Sequence, residues 1–444
     1  MKRLIWVVCI LSLWLPLAFA GGQQDPSKQN KGDEVFWLYE TATPENEQAF
    51  RDYFVKVVNE RSDTYHLNVR FDANFDQNIR TSMLAGAGPD IVQTAGPSYV
   101  QEFAEEDYLL PLDSYAEKYG WKDRFFPMMI ELGSYNGKLY ALPKTYEAMV
   151  LFYNKSLFEK NGWKLPTSWK EFDALCRQIK QSGTIPIVSG NSSWKPTNEH
   201  YVTIFFNHIA GPDNVKKALK GEIPWTDPVF VKAITTLKYY FQNYFTPDYF
   251  SFADIDALNV LAQGEAAMYP SGTWNFQNIG TYFEEAGNEW DWAPLPSAEG
   301  VEFPVYDLGI GATLSINKKS EHADEAAEIL DTLSSDKGII VDLNAHWPGE
   351  WNLPINTISR KDFGDKVDPR YARSIEEIAR AVDQGGYGYT TWTFWPPKTN
   401  QYLWESIEKV WLDQLSPEEY LAELDRVFQE ELAEGKVPPV PNSK

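Results

Sequence analysis

The residue of this chain best placed to work by contact is Trp274. Ala266–Tyr269 reads as a short buried strand, Pro270-Ser271-Gly272 as the turn that closes it, and Trp274 as a flat ring just beyond. A ring at a strand end suits a ligand shelf, although most tryptophans simply pack a core or line a cleft. Gly272 and Trp274 are therefore candidate contacts. The loop Gly190-Asn191-Ser192-Ser193-Trp194 follows an expected strand at Ile185–Val188 and combines amides, hydroxyls and one ring. Asn191 and Trp194 join the list. Trp347, Trp392, Trp395 and Trp404 crowd around Gly385-Gly386-Tyr387-Gly388 near the C-terminus; part of this group must be core.

These rings belong to an unusually aromatic chain, with 17 Trp, 24 Tyr and 25 Phe. Rings offer sugars an apolar face to stack on, and carboxylates beside them accept charge-assisted hydrogen bonds from hydroxyls. The composition points to carbohydrate. The net charge of −23 and pI near 4.7 repel nucleic acid and anionic membranes. The 5 His residues show no H-x-x-x-H or H-x-H spacing, so no His-based metal site is expected. Neither a G-x-x-x-x-G-K-[ST] phosphate loop nor a G-x-S-x-G nucleophile turn is found. No cofactor and no catalytic residue is expected.

The elements that must position these groups alternate. Val35–Tyr39 is continuously apolar, as in a parallel strand covered on both faces. Thr43 and Pro44 open a helix carrying Phe50, Phe54, Val57 and Val58. His66–Asp72 reads as a strand, Ile79–Ala85 as a helix ended by Gly86-Ala87-Gly88-Pro89, and Asp90–Gln93 as a strand. That rhythm predicts α/β layers on a parallel sheet. Further helices are expected at Ser168–Gln181, Pro228–Tyr244, Ala323–Leu333, Lys398–Leu412 and from Ser416 on. Asp90 is expected to be a turn residue.

The first residues, Lys2-Arg3, an apolar run Leu4–Leu17 and Ala18-Phe19-Ala20, have the pattern of a secretory signal peptide cleaved after Ala20. Gly21 would then come first, where a lipid-anchored protein needs Cys, so an exported protein without a membrane anchor is expected. Gly21–Asp33 reads as a flexible leader and residues 436–444 as a polar, Pro-rich tail. Only Cys176 survives such processing, which excludes an intrachain disulfide. About 400 folded residues exceed one core and predict two domains.

Five segments, in order, resemble the maltose-binding-protein-like family of extracellular solute-binding proteins that serve sugar ABC importers. They are Ala85–Gln93; Leu109–Asp113 with Asn136–Pro143; Leu151–Phe158 with Pro166–Phe172; Gly264–Trp274; and Ala293–Pro296 with Gly309–Asn317. The resemblance implies a two-lobed, type II-like periplasmic-binding-protein fold with the ligand between lobes. It implies an N-terminal lobe of 34–143 plus about 297–346, and a C-terminal lobe of 144–296 plus about 347–435. Crossings are implied near Pro143, Pro296–Gly309 and Trp347–Asn352.

The family's loops map onto further candidates. Tyr39 and Glu40 end the first strand, with Asp76 and Gln77 in the next loop and Thr94, Ala95 and Gly96 at the carboxyl end of the third. Tyr146 and Glu147 precede the Leu-Phe-Tyr-Asn-Lys strand by the family's step, which implies hydroxyl contacts for Glu147. Asp307 stands before Gly309-Ile310-Gly311 and could face the cleft or serve the hinge. One of Trp392, Trp395 or Trp404 is implied to reach ligand. A monomer that delivers sugar to ABC permease subunits is the resulting expectation. Two alternatives stay open: an exported glycoside hydrolase using Glu40 and Glu147, whose carboxylates would stand about 5 to 10 Å apart, and the same fold binding a polyamine or other small solute.

Overall fold

The computed structural model describes residues 32–441. The expected signal peptide, nearly all of the leader and the last three residues lie outside them.

The strands are β1 (Asp33–Glu40), β2 (Tyr65–Asp72), β3 (Ile91–Thr94), β4 (Ser134–Tyr135), β5 (Lys138–Leu139), β6 (Ala141–Asn154), β7 (Ile185–Ile187), β8 (Ala266–Gly272), β9 (Trp290–Ala293), β10 (Tyr306–Ile316) and β11 (Tyr387–Tyr389). β4 and β5 form a small hairpin; the rest form one sheet in the order β2-β1-β3-β10-β6-β8-β7, with β11 beside β10 and β9 beside β6. β1 runs parallel to β2 and β3, whereas β10 is antiparallel to β3 and β6. The sheet is therefore mixed, not purely parallel.

Helices cover both faces, as apolar strands require. Several begin where the sequence announces it. Thr43 accepts from the Asn46 amide, and Ser168–Glu171 and Ser416–Glu419 form reciprocal capping boxes. Asp90 is the expected structural residue: its carboxylate accepts from the Phe36 amide at 2.7 Å and the Ser320 hydroxyl at 2.6 Å. Pro270-Ser271-Gly272 is not a turn. β8 continues through it, antiparallel to β6, with Pro270 opposite Leu151. The β7 pairing ends at Met268, so Pro270 stands where β8 has lost one neighbour, a place a sheet tolerates proline.

Two main cores are built on this sheet. The smaller packs β1 and β2 with helices of the first 142 residues, then with 314–355; a satellite around Ile79, Met83 and Phe103 covers the sheet's other face. The larger takes most apolar residues from 129 to 310 and from 363 to 428. β6 changes core between Leu142 and Tyr146, and β10 between Ile310 and Leu314. Tyr306 and Leu308 thus pack in the larger core, and Trp347–Ile355 in the smaller, so these changeovers fall later than the sequence expectation. The reason is physical: the first residues of β10 lie beside β11 over Tyr306–Leu308 and opposite Tyr146–Ala148 of β6, and the apolar residues of these stretches all belong to the larger core. Among the described residues no helix is long and apolar enough to span a membrane.

Candidate functional site

A cavity of about 630 Å³ opens where β6 and β10 pass from one core to the other. The strand irregularities there aim its side chains. The β6–β10 register skips Gly311 and then Lys144, two bulges that turn the β6 residues Lys144 and Glu147 toward the cavity. Glycine is needed at both nearby positions of β10. A Cβ on Gly311 would lie 2.5 Å from Glu147 Oε2, and one on Gly309 would lie 2.7 Å from Trp392 Nε1. The indole N–H of Trp392 donates to Glu147 Oε1 at 2.9 Å.

One wall is aromatic. Trp274, Trp392 and Trp194 surround His200, with ring centroids 5.2, 5.6 and 5.6 Å from the imidazole. Trp274 and Trp392 meet edge to face at 5.9 Å. Trp274 lies flat on Gly272, where a Cβ would fall 1.8 Å from the indole. Only glycine at this position leaves room for the ring. Trp194 is half exposed at the rim, and Trp404 completes the wall.

His200 and its neighbour Glu199 start the helix Thr197–Phe205, every residue of which is buried. An acid in a first turn suits the helix dipole. Glu199 Oε2 accepts from Asn400 at 2.9 Å and the Thr391 hydroxyl at 3.1 Å. Burial pushes its carboxyl up to about 7, against the help of those two donors. Burial likewise raises Glu147 to about 8. His200 is pulled down to about 3 by burial alone and is neutral at physiological pH.

The opposite wall is polar. Lys144 is buried among Glu350, the Tyr39 hydroxyl at 2.6 Å and Glu40 at 3.9 Å, and lies over the Tyr39 and Trp351 rings. The Tyr39 hydroxyl also donates to Glu350 at 2.6 Å. Glu40 is raised by burial and then by repulsion from Glu350, although 40% of its side chain remains open to the cavity. Gln93, Thr94, Ala95 and Tyr99 continue this wall, and Asp76 stands exposed on its rim.

Eight of the expected contact residues therefore meet in one place: Glu40, Asp76, Thr94, Ala95, Glu147, Trp194, Trp274 and Trp392. Others act one step behind it. Tyr39 holds Lys144. Gly96, at a φ of 149° that favours glycine, starts the helix Pro97–Glu105 beside Trp392. Tyr146 ties β6 to the 347–352 segment, its amide donating to the Asn352 carbonyl at 2.9 Å. Gln77 lines a neighbouring pocket of about 260 Å³ that shares Asp76, Gln93, Thr94 and Tyr99 with the main one.

Three expectations are corrected as to position. Asn191 does not line the cavity; it is buried and donates to Glu408 at 2.9 Å and Asn198 at 3.0 Å, anchoring its loop. Asp307 is fully buried with its carboxylate 3.4 Å from His208, because β10 is still inside the larger core there. Trp395 packs between Trp225 and Phe206 in that core, since it ends the short helix carrying Trp392 and points the other way. Among the residues not anticipated are Lys144, Glu199, His200, Glu350 and Asn400. Glu350 lies in a Trp-rich stretch, and Asn198-Glu199-His200 shortly after the Trp194 loop; these were the available signs.

The fold and the site define a class: a two-lobed receptor with its binding cleft at the strand crossings. The chain matches the family model described as bacterial extracellular solute-binding protein over residues 46–340, and it belongs to that family. It is 26% identical over 344 residues to an uncharacterized ABC transporter extracellular-binding protein of Pyrococcus horikoshii, covering 74% of this chain and 73% of that one. A probable sugar-binding periplasmic protein of Brucella melitensis is 33% identical over 143 residues, which is 32% of either chain. That second match spans about a third of the relative's length. Among solved structures, a chitin oligosaccharide binding protein superposes with a TM-score of 0.77 at 20% identity, covering 91% of this chain and all of that one.

Proposed function

We propose that this protein captures a saccharide outside the cytoplasm and delivers it intact to the permease of an ABC importer. The observation that carries the reading is the division of one cleft into an indole wall and a carboxylate wall, the two surfaces a sugar ring needs for its faces and its hydroxyls. The names of the relatives support it: extracellular binding, ABC transport and sugar recur among them.

In this reading the lobes correspond to the two cores. β6, β10 and the segment after Ile355 join them as the hinge. Ligand bridging Trp274 on one wall and Glu40 on the other favours the closed arrangement, because it gains contacts to both walls only there. Export through a signal peptide cleaved after Ala20, and action as a monomer, belong to the same proposal. So does the absence of catalysis: the groups of the cleft bind and orient, and no bond is made or broken.

The test is intrinsic tryptophan fluorescence and melting temperature across a saccharide panel, with product analysis of each hit. A saturable shift with sugar recovered intact, and lost in Trp274→Ala, is the expected result. Cleaved sugar would make the protein a glycoside hydrolase. A response to polyamines alone would keep the fold and replace the ligand.

A further inference from the structure

The aromatic end of the cleft holds three acceptors that the protein leaves open. Glu199, 4% exposed, uses Oε2 for both Asn400 and Thr391, and no group among the described residues donates to its Oε1. Glu147, 7% exposed, takes one bond from Trp392 on Oε1, while Oε2 lies over Gly311. His200, 5% exposed, touches only rings: among the described residues neither of its ring nitrogens has a hydrogen-bond partner. All three line the cavity. They are also neighbours. Glu199 and His200 are consecutive, and the consecutive pair Thr391-Trp392 binds Glu199 with one residue and Glu147 with the other.

Once ionised, the acids there are not balanced by the protein. Lys144 is the single cation among the lining residues, against Glu40, Asp76, Glu147, Glu199 and Glu350, and its ammonium is already held by Glu350 and the Tyr39 hydroxyl. Burying carboxylates without a partner is costly, so burial leaves Glu147, at about 8, mostly protonated near neutral pH and Glu199, at about 7, about half so; a neutral hydroxyl brings no charge to draw those protons off. An ammonium offers three donors and the missing charge, and indole faces favour a cation beside them.

We propose that the ligand of this cleft is an amino sugar, a saccharide bearing a free amine, with its ammonium among Glu199, Glu147 and His200 and its ring against Trp274. This rests on the saccharide-binding reading above and names the substrate class. A neutral His200 is part of the design, since it accepts from the ammonium without repelling it. Uronic acids and sugar phosphates are excluded by the same carboxylates.

Isothermal titration of the intact protein tests it. The probes are glucosamine, galactosamine, their N-acetyl forms, the parent hexoses, glucuronic acid, and the β-1,4-linked dimers of glucosamine, N-acetylglucosamine and glucose. The expected result is at least tenfold tighter binding of the free amine than of its N-acetyl or hydroxyl counterpart, with no binding of glucuronic acid. Glu199→Gln should reduce that preference, read as the ratio of the two affinities, to under threefold. Because a buried carboxylate can matter for folding, His200→Phe provides a second arm: it keeps the aromatic packing and should lose amine affinity at least fivefold. Melting temperatures of both variants are compared with the parent. Equal or tighter binding of the neutral counterparts overturns the amino-sugar assignment and leaves the saccharide reading intact. No binding of any saccharide overturns both.

Discussion

The two walls of the cleft come from different cores and are built on different rules. On the side of the larger core, Trp194, Trp274 and Trp392 enclose His200, and the polar atoms there point past the rings into the cavity. On the side of the smaller core, Lys144, Glu350, Tyr39 and Glu40 bond chiefly to one another. The first wall is unfinished and the second is nearly self-contained. An unfinished wall gains most from a ligand. A self-contained one mostly holds shape, with Glu40 and Gln93 left at its edge for contact. On the proposed function, the indole side supplies affinity and the lysine cluster rigidity at the crossing.

Removing one member of the self-contained wall should have the largest effect, and on stability. Lys144→Met leaves Glu350 and Glu40 without their counter-charge. We expect a loss of about 3 kcal/mol in urea unfolding, the low end for a broken buried pair because Glu350 keeps 15% exposure. Adding Glu350→Gln should restore part of it. An additive double mutant would show that the cluster is not a unit.

On the unfinished wall the loss should fall on affinity. Trp274→Ala is expected to weaken sugar binding by about 30-fold, or ~2 kcal/mol, as for a central aromatic anchor. Its melting temperature should change little if the wall is as unfinished as it looks. A melting temperature that drops as far as that of Lys144→Met would erase the distinction between the walls.

The pH dependence sharpens the same contrast. Glu147 and Glu199 sit at about 8 and 7 in the folded protein against an ordinary 4.5. The folded state therefore holds more protons than the unfolded chain across that window, and stability falls as pH rises through it. His200 works the other way: lowered from 6.5 to about 3, it costs stability as pH falls below 6.5. Between pH 8 and 6.5 only the acids act, so the ligand-free melting temperature should climb by a few degrees on going down. Glu147→Gln should flatten that climb; an unchanged slope would show that Glu147 titrates normally.

The smallest effect is expected at the rim. Trp194 is 51% exposed, so Trp194→Ala should cost about fivefold in affinity, ~1 kcal/mol. A loss equal to that of Trp274→Ala would move the platform outward.

Much of this was legible in the sequence because it depends on local rules. Strand β1 follows from an apolar run and β2 from alternation, helix starts from caps such as Ser168–Glu171, and the role of Asp90 from its place in a turn. Trp274 was legible from a strand end, and Glu147 through its step to the next strand. Lys144 was not. It precedes Thr145-Tyr146-Glu147 in a run that reads as strand, and only the bulges of β6 against β10 turn it into the cavity. Asp307 was misplaced for the complementary reason: strand periodicity does not say where β10 leaves one core for the other. Trp392 stands in the short helix Thr391–Phe394 and Trp395 is its extended C-cap, so one lines the cavity and the other fills the core.

The sequence by itself determined the elements, their order and the family, because capping, apolar period and turn chemistry are read within a few residues. Only the tertiary structure decided which acids face one another, which tryptophan lines the cavity and which fills the core, and that among the described residues neither ring nitrogen of His200 has a hydrogen-bond partner. Those properties arise from strands and helices brought together from distant parts of the chain. The burial that shifts Glu147, Glu199 and His200 exists only once both walls are assembled.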